Sequence, residues 1–264
     1  MNPQAPIGIF DSGVGGTSIW KEIHALMPHE HCLYLADSAH APYGNKPKER
    51  IVELSEKNTQ YLIDAGAKII VVACNTATTN AIAYLRQKYP EIAFIGIEPA
   101  IKPAALNTQT GAIGILATKG TLNSELFATT AQDHAAAIET IEVIGEGLVP
   151  LVEAGKTNAP ETMALLKKYL EPMLAAWVDY IVLGCSHYPY LIPAIRQLVP
   201  EQVTVIDSGA AVARQTQAIL RQRDLLNPSQ ASPKLEFLTN GQPETLNLLL
   251  KDVQAKLVVR KAQF

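Results

Sequence analysis

The sequence predicts an α/β protein of two pseudo-symmetric domains, each a mostly parallel sheet flanked by helices. Three observations predict this fold class. Short apolar runs alternate with helical patterns, two of these runs recur in the second half, and the 264 residues suffice for about two domains of roughly 150 residues each. Because 48% of the residues are hydrophobic, the chain can bury a sizeable core.

The strands are predicted from short runs rich in apolar and β-branched residues. Most runs are apolar at successive positions, which is typical of parallel strands covered by helices on both faces. They predict strands near residues 6–10, 32–36, 68–73, 92–97, 112–116, 140–144, 180–183 and 203–206, with a later pair at 235–238 and 257–259.

Helical patterns lie between these runs. Residues 16–26 follow a glycine-rich loop, 47–64 carry apolar residues near 3.6 spacing, and 160–177 begin with proline in the first turn. Strands that alternate with helices of this length indicate parallel α/β units. The least periodic stretch, residues 224–233, predicts a loop.

An internal repeat suggests how the chain divides. The Ile-Gly-Ile of residues 7–9 returns at 113–115, and the Ile-Val-Val-Ala-Cys of 70–74 returns as Ile-Val-Leu-Gly-Cys at 181–185. Two echoes in the same order, at offsets of 106 and 111 residues, favour a duplicated α/β unit. We therefore expect one discontinuous domain of residues 1–98 plus 208–264, and a second domain of residues 99–207.

Composition excludes several classes of function. With 22 basic and 25 acidic residues the formal net charge is −3, whereas nucleic-acid-binding proteins normally show a basic excess. No apolar run approaches the roughly 18 residues of a membrane span, and the first ten residues lack an export pattern. We therefore expect a cytoplasmic protein with neither a membrane nor a nucleic acid as partner. The three cysteines contain no C-x-x-C pair, which argues against structural zinc and a disulfide framework.

Cys74 and Cys185 are the candidate reactive groups. Each ends a predicted strand, and ligands of open α/β sheets bind beyond the carboxyl ends of the strands. Two such units facing each other would place the two thiols on opposite walls of one cleft. Polar residues follow each cysteine, Asn75 and Thr76 in one case and Ser186 and His187 in the other. Cys32 instead lies within an apolar run and is expected in the core, the usual place for a lone cysteine.

Two facing thiols suit proton transfer at carbon. The reference pKa of a thiol is about 8.5, and a helix N-terminus, which we expect at both cysteines, lowers the pKa further. One thiolate could take a proton from one face of a carbon while the other thiol returns a proton to the opposite face. This inverts the centre without a metal or an organic cofactor. Asp11 and His187 could tune the two thiols or relay their protons.

Two loops reach the same rim of the predicted sheets. The Asp-Ser-Gly-Val-Gly-Gly of residues 11–16 links the first strand to the first helix, where glycines and exposed N–H groups favour an anion. It is not a dinucleotide fingerprint, because Ser18 stands where the third glycine would be, and it lacks the ending of a P-loop. We expect it to hold a carboxylate or another small anion. Tyr43 and Gly44 follow the second strand and favour a substrate contact.

At these residues the sequence resembles the glutamate racemase family, cofactor-independent enzymes that interconvert L- and D-glutamate for peptidoglycan synthesis. The resemblance spans nearly the whole chain and is carried by residues 9–16, 42–44, 73–77 and 184–189 in the expected order. It implies an isomerase that needs no pyridoxal phosphate, with two pseudo-symmetric domains and the active site in the cleft between them. Whether the chain forms a homodimer stays open.

The resemblance also implies residue roles. Cys74 and Cys185 would be the two acid/bases, assisted by Asp11 and His187, with Glu153 as a third auxiliary group. The residues implied to contact the substrate are Asp11, Ser12, Tyr43, Gly44, Asn75, Thr76, Ser186 and His187. At Ser186 the family usually has threonine, so the hydroxyl is kept and a methyl group is lost. Aspartate racemases share the two-cysteine plan, but the loop at 11–16 favours the glutamate branch.

Two other classes of function remain open on the sequence. A cysteine hydrolase or amidotransferase would use Cys185 with His187 as its attacking pair. It predicts a covalent thioester and no exchange of the substrate α-proton, and it leaves Cys74 and the repeat unexplained. A two-lobed binding protein without chemistry fits the architecture, but such proteins are commonly exported and the expected export signal is missing.

Overall fold

Ten strands form two parallel sheets in a computed structural model that describes residues 2–264. The strands are β1 (Ile7–Asp11), β2 (Cys32–Ala36), β3 (Ile69–Val72), β4 (Phe94–Gly96), β5 (Ala112–Ala117), β6 (Glu139–Ile144), β7 (Tyr180–Gly184), β8 (Thr204–Ile206), β9 (Leu235–Thr239) and β10 (Leu257–Lys261). The helices are α1 (Thr17–Leu26), α2 (Lys48–Asp64), α3 (Asn75–Lys88), α4 (Ile101–Asn107), α5 (Lys119–Leu122), α6 (Glu125–Ala135), α7 (Leu148–Glu153), α8 (Pro160–Ala175), α9 (Ile192–Arg196), α10 (Gly209–Gln222) and α11 (Pro243–Leu250). Short 3₁₀ turns cover Ser38–His40, Tyr43–Asn45 and Tyr188–Leu191.

The two sheets repeat one strand order. The larger sheet runs β10-β9-β2-β1-β3-β4 and the smaller runs β6-β5-β7-β8, so four strands of the first sheet match the whole of the second. Gly8 of β1 lies opposite Ile70 of β3, and Gly114 of β5 lies opposite Ile181 of β7. These residues belong to the two sequence echoes. The predicted pseudo-symmetric α/β fold is therefore confirmed in topology and register.

Burial explains why the strands were visible in the sequence. β1, β2 and β3 are buried at every position, as their uninterrupted apolar runs predict. β6 and β10, each at one edge of its sheet, differ: every position in them is exposed or half-buried. The three predicted helices are present as α1, α2 and α8, and residues 224–233 hold neither helix nor strand.

The helix expected to begin at Cys185 is not there. α3 begins at Asn75, directly after Cys74, but the chain after Cys185 forms a 3₁₀ turn at Tyr188–Leu191 and only then the short helix α9. Pro193 would lie inside a helix that started at Ser186, where it could not donate a hydrogen bond and its ring would clash with the preceding turn. The prediction that both cysteines lie at helix N-termini is therefore wrong for Cys185.

Cys32 is buried in the core as predicted, and burial raises the pKa of its thiol to about 12. Cys74 and Cys185 are also buried, so burial alone does not separate the three cysteines. Cys74 and Cys185 differ from Cys32 in having polar side chains beside their sulfur atoms. Within residues 2–264, none of the helices combines the length and the hydropathy that a membrane crossing requires.

Candidate active site

One cavity brings the two candidate thiols together. Cys74 follows β3 by two residues, Cys185 directly follows β7, and both line a cavity with a volume of about 10 Å³. The other lining residues are Ser12, Pro42, Tyr43, Gly44, Asn75, Thr76, Thr118, Val149, Ser186 and His187. Every residue expected to bind substrate is in this set except Asp11, which is fully buried outside the lining. The arrangement gives one small compartment with a thiol from each half of the repeat.

Cys74 caps helix α3. Its sulfur accepts the N–H of Ala77 at 3.5 Å, and its thiol donates to Ser12 Oγ at 3.6 Å. Burial raises the pKa of Cys74 well above its usual value, and the Asp11 carboxylate raises the pKa further. The Ala77 N–H and the Ser12 hydroxyl lower the pKa but do not outweigh burial. The low thiol pKa expected from the helix N-terminus is therefore not found at Cys74.

Cys185 begins a chain of polar contacts that ends at Glu153. His187 Nδ1 lies 3.9 Å from Cys185 Sγ, and His187 Nε2 lies 2.6 Å from Glu153 Oε1. Burial by itself would lower the pKa of His187, but Cys185, Glu153 and Asp11 together raise it well above its usual value. Burial would likewise raise the pKa of Glu153, yet its contacts, led by His187, lower it. The pair is therefore an imidazolium donating to a carboxylate.

Asp11 contacts the glycine-rich loop on one side and the residues that follow Cys185 on the other. Its Oδ2 accepts the N–H groups of Gly13 and Gly16 at 3.3 and 2.9 Å, and its Oδ1 accepts the Ser186 hydroxyl at 3.1 Å. Oδ2 is also 4.0 Å from His187 Nδ1. Burial raises the pKa of Asp11, although the charge of His187 and the Gly16 N–H oppose that rise. Asp11 therefore orients Ser186 and faces His187 from outside the cavity lining.

The glycine-rich loop holds an anion, but the anion belongs to the chain itself. The N–H of Val14 donates to Glu153 Oε1 at 2.7 Å. A Cβ atom at Gly13 would lie 1.9 Å from that oxygen, and a Cβ at Gly15 would lie 2.3 Å from His187 Nδ1. The glycines are needed so that the backbone can pack against the Glu153–His187 pair. Binding of a separate carboxylate or small anion by this loop stays a prediction.

Asn75 is the polar side chain of the cavity wall that has no partner. It is 2% exposed, and within residues 2–264 neither Nδ2 nor Oδ1 has a hydrogen bond. Buried amides are nearly always hydrogen-bonded, and an unpaired one costs about 1–3 kcal/mol. The site therefore presents one free donor and one free acceptor to whatever occupies the cavity.

The other predicted wall residues already have partners. Thr76 Oγ1 lies 2.8 Å from Thr118 Oγ1, which joins the two halves of the repeat. The Tyr43 hydroxyl donates to Asp37 Oδ2 at 2.5 Å and accepts from Asn58 Nδ2 at 3.1 Å. Burial raises the pKa of Tyr43 well above its usual value. These contacts fix the cavity wall and leave the Tyr43 hydroxyl engaged within the protein.

Sequence reasoning missed Thr118 and Val149 in the cavity wall. Thr118 follows β5 as Ser12 follows β1, at the same offset of 106 residues, so the repeat contained the signal for it. Val149 lies in α7 and had no such signal. Within the described chain, no group of three His, Cys, Asp or Glu side chains is arranged to hold a metal ion.

Two thiols in one cavity at the carboxyl ends of duplicated parallel sheets define the class. Residues 17–216 match the Asp/Glu/Hydantoin racemase family, so the chain is an isomerase of that class. The curated glutamate racemase of Ectopseudomonas mendocina (strain ymp) is 50% identical over 249 residues, which is 94% of either chain. The chain belongs to the glutamate racemase family, as its motifs suggested.

Solved structures agree with this assignment. Escherichia coli glutamate racemase, in complex with L-glutamate and the activator UDP-MurNAc-ala, is 32% identical with a TM-score of 0.84. The alignment covers 97% of this chain and 98% of that one. Glutamate racemase from Francisella tularensis subsp. tularensis SCHU S4, in complex with D-glutamate, is 25% identical with a TM-score of 0.84 over 99% and 98% of the two chains.

Proposed function

We propose that this protein interconverts L- and D-glutamate by a two-thiol mechanism without a cofactor and so supplies D-glutamate for peptidoglycan. The observation that carries the proposal is that Cys74 and Cys185 line one cavity, each from one half of the repeat. The relatives described above include one in complex with L-glutamate and one in complex with D-glutamate, which supports glutamate as substrate.

The reaction needs only proton transfer. With Cys74 as thiolate and Cys185 as thiol, the Cα–H bond of one enantiomer breaks and the proton binds Cys74. The electron pair left on Cα is shared with the α-carboxylate, and the Cys185 thiol then donates its proton to the opposite face. The product leaves Cys74 as thiol and Cys185 as thiolate, which is the state required for the reverse reaction.

Substrate charge offsets the cost of forming the Cys74 thiolate. Burial and the Asp11 carboxylate raise the pKa of this thiol. The α-ammonium group of bound glutamate carries a positive charge into the same compartment, where a low dielectric strengthens its attraction to a thiolate. Thiolate formation at Cys74 is therefore coupled to substrate binding. On the opposite wall, His187 Nδ1 lies 3.9 Å from Cys185 Sγ.

We assign substrate binding to the free polar groups of the cavity wall. The unpaired Asn75 amide supplies a donor and an acceptor for the substrate carboxylate and ammonium groups. The other proposed contacts come from Ser12, Tyr43, Gly44, Thr76, Ser186 and His187. Asp11 does not line the cavity, so its proposed role is to orient Ser186 and to hold the charge of His187.

Domain closure is part of the proposal. A cavity of about 10 Å³ holds no more than a single water, so the two halves must separate to admit an amino acid. We place the boundaries at residues 1–98 plus 208–264 and residues 99–207. The chain passes between the sheets at these two places, and the Ser208 hydroxyl donates to the Glu98 carbonyl where the two passages meet.

The decisive experiment incubates the purified protein with L-glutamate in D₂O, without pyridoxal phosphate or added metal. We expect deuterium at Cα together with inversion, and L-aspartate serves as the comparison substrate. Cys74→Ala and Cys185→Ala should each abolish inversion, whereas Cys32→Ala, the matched control in the core, should retain it. A covalent thioester without α-proton exchange would instead support the Cys185–His187 hydrolase. Inversion by Cys74→Ala would eliminate the two-thiol mechanism.

A further inference from the structure

The corner between β9 and α11 contacts the site from outside the cavity. In this β9–α11 corner, residues 240–245, the Asn240 side chain accepts the N–H of Ala39 at 2.9 Å and donates to Asp37 Oδ1 at 2.5 Å. Thr245 Oγ1 donates to the backbone carbonyl of Glu153 at 2.7 Å. Neither Asn240 nor Thr245 lines the cavity. Both contact the site only through the residues they hold.

Asn240 is connected to one cavity wall through Asp37. Asp37 is 2% exposed, and besides Asn240 it is bonded to the Tyr43 hydroxyl and to His40 Nδ1. Tyr43 lines the cavity and, like Cys74, comes from the first half of the repeat. Removing the Asn240 donor leaves a buried carboxylate with fewer partners, which loosens the group that fixes the tyrosine ring.

Thr245 is connected to the other wall through Glu153. Glu153 is the last residue of α7, and carbonyl groups at a helix C-terminus have no partner within the helix. Thr245 supplies that partner, while the Ser38 hydroxyl donates to Glu153 Oε2 at 2.9 Å. Ser38 itself lies in the turn that Asn240 holds through Ala39. Glu153 is thus fixed at its backbone and its carboxylate before it meets His187.

We propose that Asn240 and Thr245 are positioning residues for the racemisation, and this inference rests on the proposed function. Asn240 positions Tyr43 through Asp37, which sets the shape of the substrate pocket. Thr245 positions Glu153 and, through it, the His187 imidazolium beside Cys185. The C-terminal β9–α11–β10 segment extends the first sheet beyond the part that repeats, and this gives the added segment a role in the chemistry.

The test for Thr245 compares Thr245→Val with Thr245→Ser. Valine keeps the shape and removes the hydroxyl. We therefore expect kcat to fall about fivefold, which corresponds to the loss of one net hydrogen bond, with little change in KM. The alkaline limb of the kcat profile should move to lower pH, because a displaced Glu153 holds the His187 proton less firmly. Serine restores the hydroxyl and should restore both the rate and the pH profile.

The test for Asn240 compares Asn240→Ala with Asn227→Ala. Asn227 also joins the C-terminal part to a loop of the first sheet, donating to the His29 carbonyl at 2.8 Å, but it does so away from the cavity. We expect Asn240→Ala to raise KM for glutamate about fivefold with kcat within about twofold. Asn227→Ala should lower stability without changing either constant. If Asn240→Ala does not fold, Asn240→Asp keeps the acceptor for Ala39, removes the donor to Asp37 and sets a second carboxylate against it, so KM should rise at least as much.

Inversion by the wild-type protein, measured in the same assay, separates failure of the proposed function from failure of the positioning roles. Wild-type protein that does not invert glutamate overturns the proposed function and the positioning roles together. Wild-type protein that inverts glutamate, with Thr245→Val kinetically unchanged or Asn240→Ala matching Asn227→Ala, overturns the positioning roles alone. Loss of stability in Thr245→Val with an unmoved pH profile likewise shows a merely structural contact.

Discussion

The Glu153 side chain is 17% exposed, and three donors from distant parts of the chain hold its carboxylate in place. The Val14 N–H, the Ser38 hydroxyl and His187 Nε2 lie 139, 115 and 34 residues away in sequence. Burying a carboxylate costs several kcal/mol unless it is paired and hydrogen-bonded, and this one is both. Glu153 therefore joins the glycine-rich loop of the first sheet to the histidine of the second.

A pH experiment on Glu153→Gln tests this pairing. The folded pKa of His187 is raised, so its contribution to stability is complete below about pH 6.5 and is lost as the pH rises through the folded pKa. The folded pKa of Glu153 is lowered, so its contribution is present above about pH 4.5 and is lost as the pH falls through the folded pKa. Asp11 still faces His187 in the variant. We expect the loss in unfolding free energy to be greatest between these values, about 2–3 kcal/mol, the size of a hydrogen bond between charged groups.

Urea unfolding of both proteins across this pH range measures the difference. Glu161→Gln is the matched control, because it removes an acid whose partner Lys156 is on the exposed surface. A difference between wild type and Glu153→Gln that is the same at every pH would contradict the ion pair.

The sequence predicts individual site residues only where local chemistry marks them. Cys74 and Cys185 were found because each follows a recognisable buried strand and precedes polar residues. Thr118 could have been found from the repeat, whereas Val149 could not. The contacts of Glu153 could not be predicted either, since nothing in a Leu-Val-Glu helix end distinguishes an internal carboxylate from a solvated one.

At the scale of elements, the two cysteines differ although the strands before them match. Cys74 is the N-cap of α3, while Cys185 precedes a 3₁₀ turn, and its sulfur accepts no N–H bond from the backbone of residues 2–264. Buried parallel strands could be predicted because their apolar runs are continuous. No long helix follows Cys185, because Pro189 and Pro193 interrupt the hydrogen bonding that such a helix needs. The pattern of the preceding strand does not reveal this.

Stability measurements on serine and alanine variants test this difference. Serine is a strong N-cap residue, so Cys74→Ser should be more stable than Cys74→Ala by about 1 kcal/mol. The corresponding pair at Cys185 should show no such gain, because that sulfur caps no helix. Thermal unfolding of the four variants decides the point, and all four should fail to invert glutamate. Equal serine-to-alanine differences at the two positions would contradict the capping role.

At the scale of the molecule, the repeat builds a site that neither half contains alone. Each sheet contributes a thiol and a hydroxyl at the carboxyl end of equivalent strands, with Ser12 from one half and Thr118 from the other. Contacts such as Thr76 with Thr118 and Val14 with Glu153 tie the halves together around a cavity too small for an amino acid. The proposed opening and closing of the two halves requires these bonds to break and re-form.

Hydrogen–deuterium exchange with and without glutamate tests this motion. Closure over a bound substrate should slow amide exchange on both sides of the cavity, at residues 42–45 and 74–77 of the first half and 118–121 and 185–188 of the second. The loop at 224–233 lies outside the cavity lining and should exchange equally in both samples, which makes it an internal control. Slower exchange on one side only would mean that glutamate binds to one half without closing the other over it. The substrate would then not lie between the two thiols, because protonation from the second face requires both walls to reach the same carbon.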